Sequence, residues 1–115
     1  MLVQHWKDTE MEQLSPTVAR QVLHGEKITM ARLVLKKGAF VPEHSHHNEQ
    51  ISTMLEGSLL FRIGGEEISL GAGQSLVIPP HVPHSAEAME DCVALDVFTP
   101  LRDDWIRGDD AYLRK

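Results

Sequence analysis

The chain has 115 residues, of which 42% are hydrophobic and 24% are charged, and its formal net charge is −6. This length suits one domain spanning residues 1–115, and the composition is too apolar for a disordered chain. Acidic residues outnumber basic ones, so no basic stripe is available for phosphate groups and nucleic acid is not an expected partner.

Two further features of the sequence bear on the location of the protein. No stretch approaches the ~18 apolar residues that cross a membrane. The only cysteine, Cys92, cannot pair within the chain, and the N-terminal residues lack the basic and apolar regions of a secretion signal. We therefore expect a cytoplasmic protein that has no membrane segment.

Residues 1–25 are weakly patterned, but short strands recur along the rest of the chain. Each of these segments is rich in β-branched or aliphatic residues and is bounded by Gly, Pro or a charged turn. Gly64-Gly65 separates two of them and indicates a two-residue hairpin. The predicted strands span residues 28–35, 50–56, 58–63, 66–70, 75–78 and 92–98.

This rhythm of short strands predicts an all-β fold, either an antiparallel sandwich, a jelly roll or a barrel, rather than a parallel α/β sheet. Helix is expected only in the C-terminal tail, residues 101–115, where residues 101–112 have room for one or two helical turns. Asp103 and Asp104, which precede Trp105, suit the start of such a helix.

The spacing of the histidines points to metal chemistry. His44 and His46 lie two residues apart in a region of strand character, and the period of a strand places both imidazoles on one face. Gln50 has the same parity and offers an amide oxygen. These three side chains form a half-site that needs a further ligand. His81 and His84 follow a later strand, and one of them could supply that ligand.

The same residues belong to two motifs that resemble those of the cupin family. The first, residues 38–57, is Gly, five residues, His, one residue, His, three residues, Gln, six residues, Gly. The second, residues 73–84, is Gly, five residues, Pro, four residues, His. Gln50 stands where most cupins have Glu, His81 where the second motif usually has Gly, and Ala88 where Asn is usual. The resemblance implies a single-domain jelly-roll β-barrel.

By this resemblance, one divalent metal ion in the mouth of the barrel is held by His44, His46, Gln50 and His84. Nickel, iron, manganese, zinc and copper all suit such ligands. Because imidazole and amide are neutral, the ion keeps its double charge and favours an anionic small molecule as substrate. His47 is expected to point outward, because only alternate residues of a strand share a face.

The last predicted strand carries one carboxylate, Asp96, on the same face as Phe98. Asp96 therefore points either to solvent or into the barrel. The aromatic neighbour favours the inward alternative, because a solvated face seldom carries an exposed aromatic ring. A buried carboxylate then needs a partner, and Arg102 and the metal ion are the two candidates.

The segment from Asp96 to Arg102, DVFTPLR, is similar to the closing strand of the KdgF-like group of cupins. That likeness implies that Asp96 is an acid/base carboxylate, that Phe98 is an aromatic wall and that Arg102 is a cationic partner. It also implies an activity, the conversion of 4,5-unsaturated monouronates from pectin or alginate breakdown into linear keto forms. Arg102 either binds the sugar acid's carboxylate or keeps Asp96 ionised. Arg62 is a weaker candidate for the same task.

The sequence leaves three functions open. A uronate-ketonising enzyme, the first expectation, works with a metal that undergoes no redox change. A metal-dependent dioxygenase of the cupin type loses its activity without oxygen. A small-molecule binding protein binds a sugar acid without turnover.

The expected assembly is a homodimer. A barrel of this length leaves strand edges exposed, and an exposed edge invites pairing with another chain. Pairing of the N-terminal strand with the sheet of a second copy would cover these edges and predicts a two-fold dimer.

Overall fold

The structure, a computed structural model, describes residues 1–114 and consists mainly of two antiparallel β-sheets. The strands are β1 (Glu12–Gln13), β2 (Val18–His24), β3 (Thr29–Leu35), β4 (Phe40–His44), β5 (Glu49–Glu56), β6 (Ser58–Ile63), β7 (Glu66–Gly71), β8 (Ser75–Ile78), β9 (His84–Ala88) and β10 (Cys92–Thr99). The helical elements are α1 (Asp103–Arg107) and two 3-10 helices, Trp6–Asp8 and Ala111–Leu113. Among the described residues, no helix is long and apolar enough to span a membrane.

The larger sheet has the strand order β1-β2-β3-β10-β5-β8, and the smaller sheet has the order β4-β9-β6-β7. Side chains from both sheets meet in one apolar core. The fold is all-β, as the strand pattern predicts, and it is the jelly roll that the resemblance to cupins implies. Cys92 lies in this core, and burial, with the charges of Asp91 and Glu90, raises the pKa of its thiol to about 11. Other members of the core are Ala31, Met54, Leu59, Phe61, Ile78 and Phe98.

The six predicted strands are all present, and none of their ends moves by more than one residue. The strand pattern did not predict β1, β2, β4 or β9. In β2 the polar side chains of Arg20 and Gln21 are buried, which breaks the apolar alternation. Pro42 interrupts β4, and β9 begins with two buried polar residues, His84 and Ser85. A period-two pattern of apolar residues cannot reveal strands whose inward side chains are polar.

Two glycine turns shape the connections around β6. Gly64 and Gly65 have φ of 56° and 82° and join β6 to β7 in the predicted hairpin. Gly57, with φ of 75°, joins β5 to β6 and packs tightly against the chain before β10. A Cβ at Gly57 would lie 2.3 Å from the carbonyl oxygen of Asp91 and 2.7 Å from the Cβ of Cys92. Gly57 is therefore required both by its backbone conformation and by the lack of space.

The C-terminal tail contains the short helix expected within residues 101–112, and this helix begins at Asp103 as predicted. The α-helix is confined to α1, because Gly108 adopts the left-handed conformation with φ of 83° and ends it. The 3-10 helix Ala111–Leu113 follows and packs against β4. The tail thus folds back toward the smaller sheet.

The start of the tail is fixed by two polar side chains from the barrel. The amide of Asn48 donates to the carbonyl oxygens of Pro100 (2.6 Å) and Leu101 (3.1 Å). The backbone N–H of Arg102 donates to the hydroxyl oxygen of Thr29 (3.0 Å). Arg102 is therefore held at the end of β10 by contacts that are independent of the rest of the tail.

Candidate metal centre

Three histidines converge at one end of the cavity between the sheets. His44 and His84 lie opposite each other in the pairing of β4 with β9. His46 lies beyond the end of β4, in the loop that leads to β5, so this loop and not the period of a strand brings it beside His44. One ring nitrogen from each histidine lies within 4.8 Å of the other two, and the three together can hold a metal ion.

Backbone carbonyls fix the tautomer of all three rings. A carbonyl oxygen can only accept a hydrogen bond, so each Nδ1 carries the proton and each Nε2 keeps its lone pair for a cation. The partners are two residues away in every case: Pro42 for His44 (2.8 Å), Asn48 for His46 (3.1 Å) and Val82 for His84 (2.8 Å).

Burial keeps the three imidazoles neutral. It lowers the pKa of both His44 and His46 to about 4, although the backbone hydrogen bonds at Nδ1 act in the opposite direction. Burial also lowers the pKa of His84. Among the described residues, the buried Nε2 of His84 has no hydrogen-bond partner. Neutral rings with an unpartnered nitrogen fit a divalent cation, which would supply the missing contact.

Gln50 joins the histidine cluster to the interior of the barrel. Its Oε1 lies 3.1 Å from Nε2 of His46. With Nδ1 of His46 protonated, both of these atoms are acceptors, and a cation between them would satisfy both. The Nε2 of Gln50 points the other way, donating to the hydroxyl of Ser52 (2.9 Å) and more weakly to Oδ2 of Asp96 (3.5 Å). The four ligands that the motifs imply thus lie together.

Asp96 lies inside the barrel, so the inward alternative is the one observed. The strand register places it opposite Ser52 of β5 and Ala31 of β3, and it is only 7% exposed. Its Oδ1 is buried without a hydrogen-bond partner among the described residues. Burial raises the pKa of Asp96 to about 6, although the Ser52 hydroxyl and the charge of Arg102 act in the opposite direction.

Arg102 forms no ion pair with Asp96, which corrects one of the two partners expected from the sequence. Its Nε and Nη2 donate to the carboxylate of Asp104 (3.0 and 2.8 Å), and Nη2 also donates to the hydroxyl of Tyr112 (2.8 Å). Asp104 is available because it lies in the first turn of α1, two residues after the arginine. Arg102 therefore acts on Asp96 only through its charge.

Aromatic rings hold the Arg102 guanidinium in place. It lies over the rings of Phe98 (4.6 Å) and Trp105 (4.3 Å), and the residue is 1% exposed. The ring of Phe98 in turn meets the His46 ring edge-on, with 5.8 Å between the ring centres. Phe98 thus forms an aromatic wall between the histidine cluster and Arg102.

Tyr112 is a site residue that the sequence analysis missed. Its ring stacks on the His44 ring, with 4.5 Å between the centres, and its hydroxyl accepts from Arg102. No spacing in the sequence connects this tyrosine with the histidine motifs, because it arrives through the folding of the tail. The only available signal was that Tyr112 is the sole tyrosine of the chain.

The cavity enclosed by these side chains has a volume of about 60 Å³. Most of its wall is apolar, so charges inside it interact more strongly than they would in water. The polar groups that reach into it belong to His44, Gln50, His84, Asp96, Arg102 and Tyr112.

Three other candidates lie away from this cavity. Arg62 is partly exposed on β6 and pairs with Glu67 (3.5 Å) at the surface. His47 and His81 are exposed. His81, with φ of 66°, donates from its backbone N–H to the carbonyl of His46 (2.8 Å). Its side chain therefore takes no part in the cluster, and its backbone supports the loop of His46.

Comparisons with known proteins agree with this fold. The family model described as "Cupin domain" matches residues 31–98. An RmlC-like cupin from Shewanella frigidimarina superposes with a TM-score of 0.84 at 30% identity, over 89% of this chain and 93% of that one. KdgF from Halomonas sp. superposes with a TM-score of 0.82 at 27% identity, over 88% and 96%. The uncharacterised protein MJ1618 of Methanocaldococcus jannaschii is 29% identical over 69% of this chain and 73% of that protein.

Proposed function

The chain belongs to the cupin family, and from this premise we propose that it is a metal-dependent enzyme that ketonises 4,5-unsaturated monouronates. The observation that carries the proposal is the amide of Gln50, which connects the histidine cluster to a buried carboxylate. Its oxygen faces His46 and its nitrogen faces Asp96. A single side chain thus separates an acid/base group from a cation site. The likeness to KdgF supports the same activity.

The proposed reaction needs a proton at carbon and a counter-charge at oxygen. Opening of the unsaturated sugar ring leaves an enol at C5. Ketonisation breaks the enol O–H bond, forms a C–H bond at C4 and converts the C4=C5 double bond into a C5 carbonyl. A divalent cation held by His44, His46, Gln50 and His84 would polarise the substrate oxygens and stabilise negative charge on them.

The residues of the chain supply the remaining steps. Asp96, as the acid/base, accepts the proton that leaves the enol oxygen and delivers it to C4. The N–H₂ group of Gln50 donates to Oδ2 of Asp96, so this oxygen of the carboxylate faces the histidine cluster. Arg102 binds the carboxylate of the substrate, because guanidinium groups recognise planar anions, and Phe98 limits the position of the sugar ring.

The test is turnover by the metal-loaded protein. Unsaturated galacturonate and guluronate monomers are supplied, and the loss of alkene absorbance is followed. We expect Asp96→Asn to lower the rate by about 10²–10⁴, the usual contribution of a positioned acid/base. Asp109→Asn, an exposed change of the same kind, should leave the rate unchanged. Equal rates in the Asp96 variant and the wild type would contradict the role of Asp96.

Two controls separate the alternatives. Turnover that stops when oxygen is removed would favour a cupin dioxygenase. Tight binding of the sugar acid without loss of absorbance would favour a binding protein. We further propose that the protein is a cytoplasmic homodimer; a single cysteine that cannot pair within the chain is consistent with a reducing compartment.

A further inference from the structure

The last seven described residues, Gly108–Arg114, cover the cavity of the candidate metal centre; we call them the terminal segment. Tyr112 and Leu113 line the cavity together with His44. Tyr112 lies against the His44 ring, and Leu113 is 8% exposed. The segment therefore forms part of the wall of the cavity that His44 and His84 line.

The space left under the terminal segment is too small for the proposed substrate. One water needs about 10–15 Å³ on the measure that gives this cavity about 60 Å³, so about four to six water-sized atoms fit. A six-carbon unsaturated uronate has about a dozen non-hydrogen atoms, roughly twice that number. With the terminal segment in its present position, the enclosed space does not hold the whole substrate.

Tyr112 occupies the position on Arg102 that an anionic substrate would use. Its hydroxyl oxygen accepts from Nη2 of Arg102 at 2.8 Å. A carboxylate oxygen would accept the same hydrogen bond more strongly, because it carries charge. Displacement of Tyr112 would at once enlarge the cavity and free a donor for the substrate, while Thr29 keeps the backbone of Arg102 in place.

The terminal segment has a hinge at one end and an ionic anchor in its middle. The hinge is Gly108, whose left-handed conformation separates the segment from α1. The anchor is Asp110, which is 1% exposed and accepts from the buried Arg20 of β2 and from Arg114. Trp105 of α1 packs on Arg102 and on Arg20, and its Nε1 donates to the Tyr112 hydroxyl (3.4 Å), so α1 contacts both the anchor and the segment.

We propose that the terminal segment is a lid that closes over the metal centre, anchored by the Asp110–Arg20 ion pair and displaced by a sugar acid whose carboxylate replaces Tyr112 on Arg102. The nature of the displacing ligand rests on the proposed function. The existence of the lid rests only on the contacts of the terminal segment.

Hydrogen exchange of the zinc-loaded, full-length protein tests the lid. Asp110→Asn removes the charge of the anchor and nearly keeps its shape. Asp109→Asn makes the same change at another residue of the segment, whose ion pair with Arg107 of α1 is exposed. We expect the amides of Leu113 and Arg114, which donate within the 3-10 helix, to exchange at least tenfold faster in Asp110→Asn. The amides of β10 should be unchanged, and Asp109→Asn should behave as the wild type.

Capture of zinc by the chromogenic chelator 4-(2-pyridylazo)resorcinol gives the second readout. If the segment is a lid, the second-order rate of capture should rise at least severalfold in Asp110→Asn and stay constant in Asp109→Asn. Failure of either the exchange or the capture rate to rise would overturn the lid. If Asp110→Asn does not fold, Tyr112→Phe takes its place. This variant removes only the hydroxyl that accepts from Arg102, and the lid requires the same rise in the rate of zinc capture.

Binding of galacturonate, a saturated and unreactive probe, separates the two proposals. If zinc capture shows that the lid opens, and galacturonate binds faster to Asp110→Asn than to the wild type, the lid and the sugar-acid function are both supported. If the chelator detects the lid but galacturonate binds to neither protein, the sugar-acid function is wrong and the lid remains. If galacturonate binds both proteins at the same rate, the lid does not gate this ligand and the proposal fails.

Discussion

The chemistry of single residues at this site is set by the backbone around them. Three carbonyl groups hold the protons of three imidazoles at Nδ1, and burial keeps those imidazoles neutral. Gln50 is oriented by side chains instead, because the Ser52 hydroxyl and the Asp96 carboxylate accept hydrogen bonds from its N–H₂ group. The cation site is thus prepared before any ion binds, which lowers the cost of ordering its ligands.

Loss of one imidazole should weaken metal binding sharply. His84→Ala removes a buried nitrogen that has no partner among the described residues, and we expect zinc affinity to fall by on the order of 100-fold or more. His47→Ala removes an exposed imidazole one residue from the cluster and should change nothing. Competition titration with a chromogenic chelator measures both. Equal affinities would remove His84 from the ligand set.

The neutrality of residue 50 should matter for the acid/base group. Gln50→Glu would replace the donor 3.5 Å from Oδ2 of Asp96 with a second carboxylate oxygen. Repulsion then raises the pKa of Asp96, and we expect turnover of the unsaturated uronate to fall by roughly tenfold or more with metal content retained. Gln74→Glu is the matched control, because it keeps the exposed oxygen that accepts from Gly71. Unchanged turnover in Gln50→Glu would show that Asp96 needs no neutral neighbour.

At the scale of elements, the site depends on how strands and loops meet. Pairing of β4 with β9 sets His44 opposite His84, and pairing of β10 with β5 sets Asp96 opposite Ser52. A shift of either register by one residue would turn these side chains away from the cavity. The turns that fix the registers are therefore as important as the ligands.

Two glycines with left-handed backbones should respond differently to alanine. Gly57→Ala adds a Cβ 2.3 Å from a backbone oxygen, so backbone strain and steric overlap combine, and we expect a loss of about 3 kcal/mol or more in the free energy of unfolding. Gly64→Ala adds a Cβ with nothing within 4 Å, so only backbone strain remains, about 1 kcal/mol. Urea unfolding followed by circular dichroism compares the two; equal losses would contradict the tight packing at Gly57.

At the scale of the whole molecule, the two ends of the chain are joined by charge. Asp110 of the tail accepts from Arg20 of β2 and from Arg114, and Glu12 of β1 contacts both arginines. Burial alone would raise the pKa of Asp110, but the hydrogen bonds from Arg114 and Arg20 outweigh it and hold the pKa below the ordinary 3.8. The ionised form of Asp110 therefore stabilises the fold.

The sign of this effect predicts a pH dependence. Because the pKa of Asp110 is lower in the folded state, its contribution is fully present above 3.8 and is lost as the pH falls through the folded value. We expect the difference in melting temperature between the wild type and Asp110→Asn to be largest near neutral pH and to shrink below about pH 4. Thermal unfolding at pH 7 and pH 3 checks this. A difference that grows toward pH 3 would have the wrong sign.

The proposed homodimer is also a property of the whole molecule. β1 pairs with β2 of its own chain, and its other side lies at the margin of the larger sheet, where a second copy can pair. Sedimentation equilibrium should give twice the chain mass of 12.9 kDa. A mass of 12.9 kDa at the highest concentration tested would contradict the dimer.

The sequence by itself determined the features that depend on neighbours along the chain. Apolar alternation and turn residues predicted six strands, the Gly64-Gly65 hairpin and the fold class, because these follow from local backbone preference. The two motifs, through their resemblance to those of cupins, also named the four side chains that lie together. His46 comes near Gln50 because only a short loop joins β4 to β5. The pattern did not reveal β2 and β9 because buried polar residues interrupt their apolar faces.

The tertiary structure decided what depends on residues far apart in the chain. Strand period leaves open which face is inward, and the packing of the two sheets against each other places Asp96 inside, where it lines the cavity. The turn at Gly108 brings Tyr112 onto His44 and Arg102, and Asp110 onto Arg20, across separations that no local pattern spans. Such contacts follow from the path of the whole chain, because each is fixed by the packing of many elements at once.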